Sequence, residues 1–104
     1  MFMIRQGDVL VRQVDAIPAG AKKVAKDKGR VILAYGEVTG HAHAIWNRAV
    51  MFRDDGLGQT FLRVEEGGTT VVHEEHAPVD LPAGNYEVVI QREYTPEGLR
   101  NVAD

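Results

Sequence analysis

The chain has 104 residues, 44% hydrophobic and 26% charged, with a formal net charge of −3 and no cysteine. That balance fits one soluble domain, residues 1–104, rather than a disordered tail or a two-domain protein. It excludes disulfides, thiolate metal sites and cysteine nucleophiles.

Charge is unevenly spread: all four lysines fall between Lys22 and Lys28, while residues 36–104 carry twelve acids against five arginines. The lysine segment reads as a solvated loop. No aromatic residues interleave with it and the chain is acidic overall, so nucleic acid is not an expected partner. Met1–Asp8 holds too few apolar residues for a signal segment, and no later run approaches the roughly eighteen that a membrane span needs. The expected location is the cytoplasm, with no membrane partner.

In chain order, Val9–Val14 alternates as a first strand, closed by the turn residues of Asp15–Gly20. Ala21–Gly29 has no apolar face and reads as loop, and Arg30–Tyr35 as a strand ended by Gly36. Val38–Gly40, His41–Trp46 and Ala49–Arg53 continue the β pattern, with a tight connection at Asn47-Arg48. Asp54–Gly58 is a strong turn. Thr60–Val64, a hairpin turn at Glu65–Gly68 and Thr69–His73 follow, so that two consecutive hairpins suggest a meander. Val79–Leu81 lies between two prolines. Tyr86–Tyr94 is the longest strand, in which Tyr86 reads as a packing residue, and Thr95–Gly98 releases a polar tail.

Short strands with turns every eight to twelve residues and no amphipathic helix predict an all-β fold, a small single-domain barrel or sandwich of short antiparallel strands. Trp46 is expected as a core anchor or a pocket wall.

All four histidines fall in two close pairs, His41-Ala42-His43 and His73-Glu74-Glu75-His76. Strand side chains alternate, so His41 and His43 share a face at a backbone spacing of ~6.5–7 Å, close enough to lean onto one ion. Ala42 and Ala44 face the other way and let another layer approach. The second pair ends a β-branched run and precedes Ala77-Pro78, which puts Glu74-Glu75 in a turn or bulge. That rejects the zinc-protease signature, which needs histidines four apart on a helix.

His41, His43, His73 and His76 are therefore the candidate ligands of a divalent metal, with zinc the expected cofactor. With three histidines and an open position, Glu74, Glu75 or Glu93 would orient or deprotonate a water in a metal-dependent hydrolase. Four histidines, or three with a carboxylate such as Glu37, would close the shell into a structural site. Two with a carboxylate would suit iron and oxygen chemistry.

Glu93 beside Arg92 also reads as half of a cross-strand ion pair. No nucleophile motif, phosphate loop or cofactor fingerprint accompanies the ligands. The alternative is thus a non-catalytic structural or interaction module whose histidines are structural or interfacial. Expected partners are a small molecule or a second copy of the chain in a homo-oligomer.

The segments Gly36–His43, His73–Pro78, Leu81–Tyr86 and Gln91–Tyr94 resemble those of a family of short, uncharacterised β-rich proteins from bacteria and their phages. That resemblance spans most of the chain and implies no activity. A second resemblance, in architecture, is to the cupins, which place His-x-His on a strand, then a glutamate and a later histidine. It implies that His41, His43 and one of His73 or His76 bind metal at a barrel mouth. The chain departs from that pattern: no glutamate follows His43 at the short interval, and no histidine follows Pro82-Ala83-Gly84.

Overall fold

The computed structural model describes residues 2–36, 38–95 and 98–101, the last two strands by backbone alone. Those residues form strands and turns: β1 (Met3–Gln6), β2 (Val9–Val14), β3 (Lys22–Lys23), β4 (Val31–Tyr35), β5 (Ala42–Ile45), β6 (Ala49–Asp54), β7 (Gln59–Val64), β8 (Thr69–Val71), β9 (Val79–Leu81), β10 (Gly84–Ile90), β11 (Arg92–Thr95) and β12 (Gly98–Asn101). Among them no helix is long and apolar enough to cross a membrane.

One antiparallel sheet runs β1-β2-β10-β7-β6-β3. The hairpins β4-β5 and β8-β9 form a second layer, joined to each other through an Ala44–Val72 bridge with both hydrogen bonds at 2.9 Å. The fold is the sandwich of the two alternatives, since the sheets do not close into a barrel.

The core lies between the layers. Val9 and Val11 of β2, Leu62 of β7 and Tyr86 of β10 meet Val31 of β4, Ile45 of β5 and Val71 of β8, all at most 3% exposed. Each aliphatic side chain buried this way is worth roughly 1.5–3 kcal/mol against the ordering cost of its strand.

Several expectations are corrected. An additional strand, β1, precedes Val9 and pairs with it through a two-residue loop, Gly7-Asp8. Gly7 adopts φ +58°, the left-handed geometry that the first loop position of such hairpins demands. The basic loop contains the short edge strand β3, where Lys22 and Lys23 pair with Arg53 and Phe52. Edge lysines of this kind also discourage pairing with another chain.

Glu65–Gly68 does not close a hairpin. Gly67 and Gly68 sit at φ +97° and +74° and turn the chain out of the first sheet into the second, where β8 pairs with β9. The corner is pinned: Glu65 N–H donates to Arg48 O at 2.9 Å, Arg48 Nε to Gly68 O at 2.6 Å, and Thr69 Oγ1 to Asn47 O at 2.7 Å. The long strand expected over Tyr86–Tyr94 breaks at Gln91, and instead of a released tail, β12 folds back on β11. Glu37 lies outside the described residues, as do the side chains of Arg92, Glu93 and Tyr94.

Candidate functional site

The two histidine pairs, some thirty residues apart in the chain, meet at one end of the sandwich. His43 stands on β5, and His41 immediately precedes that strand. His73 and His76 lie on the loop after β8, which ends at Val71 and leaves His73 outside the ladder. Ring centroids are 4.3 Å apart for His43–His73, 4.7 Å for His73–His76, 5.7 Å for His41–His73 and 5.8 Å for His43–His76. His73 is the ring that touches all the others. His43 is fully buried and His73 is 8% exposed.

Three carboxylates border the rings. Asp8, 5% exposed in the β1–β2 loop, brings Oδ1 to 3.6 Å from His43 Nε2. Glu75 Oε1 lies 3.3 Å from His41 Nδ1, without hydrogen-bond alignment. Glu74 Oε1 accepts the Ala42 N–H at 2.9 Å. That bond holds the Glu74 carboxyl below its ordinary value of 4.5, helped by its own backbone N–H and by neighbouring His41 and His73. One donor atom each from His41, His73 and Glu74 lies within 4.8 Å of the others, a spacing that can hold a metal ion.

Gln6 orients the buried ring. Its Nε2 donates to Val71 O at 3.1 Å and Ala77 O at 3.0 Å, so the side chain must present Oε1 to His43 Nδ1, 2.9 Å away. A carbonyl oxygen only accepts, hence Nδ1 carries a proton, and Nε2 is the ring nitrogen turned to the cluster and to Asp8. This is the arrangement that metal-binding histidines use.

His73 is wired the opposite way. Its Nδ1 accepts the Glu75 N–H at 3.0 Å, which puts the proton of the neutral ring on Nε2. The Nε2 atoms of His73 and His76 are buried without a hydrogen-bond partner among the described residues.

The structure thus brings His41, His43, His73, His76, Glu74 and Glu75 together. Glu93 stands on β11, with its side chain outside the described residues. Sequence reasoning missed Gln6, Gly7 and Asp8. A Gly-Asp pair between alternating runs reads as turn chemistry alone, and the one available signal was the glutamine before it.

Trp46 is 60% exposed, so of its two expected roles it fills that of a pocket wall. It borders a cleft of about 230 Å³ with Arg30, Ala42 and Ala44, while His73 and Glu74 carry the lining to the histidine cluster.

No curated protein and no solved structure gives a significant match to the chain. The model of a family described as a domain of unknown function, DUF8820, matches residues 5–91, a span that holds every residue of the cluster from Gln6 to His76. The chain belongs to that family.

Proposed function

We propose that the cluster is a divalent-metal site, with zinc as the ion its imidazole-rich donor set favours. The observation that carries this reading is the group of buried imidazole nitrogens without a hydrogen-bond partner among the described residues, Nδ1 of His41 and Nε2 of His76, with Nε2 of His73 beside them and available once its ring proton moves, all packed beside carboxylates. A buried polar atom left without a partner costs roughly 1–3 kcal/mol, and one ion among the rings would satisfy several at once. The negative charge of Asp8 and Glu74 would balance a dication.

In this reading His43 is held by Gln6 with its lone pair inward, His41 and His76 complete the histidine ligands, and Glu74 adds a carboxylate fixed by the Ala42 N–H. His73 joins them only when its bond from the Glu75 N–H opens. Binding at Nδ1 takes the lone pair that this bond uses, while binding at Nε2 moves the ring proton onto Nδ1. A hydrolytic role would use an open position on the ion to acidify water, with Glu75, half exposed beside His41, accepting the proton.

The test is elemental analysis of protein purified without a histidine tag, joined to thermal melts with and without chelator. The reading expects about one equivalent of metal, lost in His43→Ala, and a lower Tm in chelator. Protein that retains no metal, and whose Tm zinc does not raise, overturns it. A fixed oligomer unchanged by chelation would then favour the non-catalytic module.

A further inference from the structure

We infer that the cleft beside the cluster is a binding site for a small organic carboxylate, held at its charged end by Arg30. The inference rests on the metal reading for what the ligand meets at its inner end, and on the cleft alone for its capture.

The Arg30 guanidinium carbon lies 5.7 Å from the centre of the Trp46 ring. A cation–π contact of this kind supplies no hydrogen-bond acceptor, so the N–H groups of the guanidinium that do not face the ring can still fork a carboxylate. Among the described residues Arg30 has no ion pair within 4.0 Å to spend that edge on. Trp46 is the chain's one tryptophan, is 60% exposed and borders the cleft beside Arg30, so its ring is open to an occupant of the cleft.

Between Arg30 and the cluster, Ala42, Ala44 and Val72 line the cleft where the bridge joins the two hairpins. The two alanines are buried and form the cleft's floor, while the partly exposed Val72 offers an apolar wall to a hydrocarbon body. The volume, about 230 Å³, is below the roughly 300–1,000 Å³ of drug-sized ligand sites, which limits the occupant to a small molecule. Glu74 sits at the far end and repels a second anion, so the ligand carries its carboxylate at the Arg30 end only.

The probe is sodium benzoate, with neutral benzamide of the same shape as its control, titrated into chelator-treated and zinc-loaded protein. Trp46 emission and calorimetry report binding. Saturable binding of benzoate at least roughly tenfold tighter than benzamide is expected, as is a loss of about tenfold or more in Arg30→Met, with Arg30→Lys between.

The wild-type comparison of the two probes needs no variant to fold. Absence of saturable benzoate binding in both forms of the protein, or equal binding of benzamide, overturns the inference. Metal content is read separately, so a cleft that takes no carboxylate and a cluster that holds no ion are different results.

Discussion

Gly7 and His76 approach so closely that one carbon added to Gly7 would stand 2.9 Å from Nε2 of His76, and 3.1 Å from Cε1 of His43. The hairpin loop is therefore the back wall of the histidine cluster. Gly7→Ala meets both this contact and a left-handed φ of +58°, and should cost roughly 1–2 kcal/mol. At about 4–8 °C per kcal/mol for a domain of this size, a clear drop in Tm by circular dichroism is expected. A wild-type Tm would contradict the close approach.

Gln6→Leu keeps the volume and removes all three hydrogen bonds, to His43, Val71 and Ala77. It leaves buried polar atoms unpaired, at roughly 1–3 kcal/mol each, and frees His43 to turn. Zinc affinity should fall about 10–100-fold, the usual effect of losing such a supporting contact, and a competition titration against a chromogenic chelator reads it. Unchanged affinity with lowered stability would limit Gln6 to a packing role.

Metal loading should move the turn at residues 73–76. Because coordination by either nitrogen of His73 removes the bond from the Glu75 N–H, the Glu75 amide should shift strongly in a nitrogen-15 correlation spectrum on zinc addition. An unmoved Glu75 amide in loaded protein would show that His73 is not a ligand.

Tyr86 gives an alkaline limb to stability. Burial pushes its phenol above the ordinary value of 10.0, so the stability of its neutral form is complete below pH 10 and is lost as pH rises through the raised folded value. Its hydroxyl also donates to Pro82 O at 2.6 Å. Tyr86→Phe should cost about 1 kcal/mol at neutral pH and lose stability less steeply above pH 10, as urea melts across pH would record.

Glu87 tests a different burial. Its carboxylate, on a side chain 9% exposed, accepts from Arg12 Nε at 2.8 Å and Gln59 Nε2 at 3.0 Å, and so ties β2, β10 and β7 together. Arg12→Met strands that charge and should be more damaging than the double replacement Arg12→Met with Glu87→Met. A double variant less stable than Arg12→Met would refute this.

The legible parts of the site were the local ones. The period of two along a strand places His41 and His43 on one side, and the proline after His76 keeps that pair out of a helix. The parts that were not legible depend on distant partners. Asp8 and Gln6 have the chemistry of an ordinary turn until His43, over thirty residues away, arrives beside them. Glu65–Gly68 has the composition of a hairpin, but pairing is chosen by which layer needs a strand, and two left-handed glycines send β8 to β9. Trp46 has the burial energy of a core residue, yet it stands at the end of β5, where the layer stops and the cleft begins.

The bridge between Ala44 and Val72 sets how the site can respond. One pair of hydrogen bonds is all the backbone pairing that joins the two hairpins among the described residues, with His41 and His43 on one side and His73 and His76 on the other. Such a seam is a soft joint next to the ladders that flank it. The rest of the hold across that seam is by side chains, the Glu74 carboxylate on the Ala42 N–H and Gln6 between His43 and the carbonyls of Val71 and Ala77, so the spacing of the two histidine pairs is set by a few side-chain bonds rather than by a ladder.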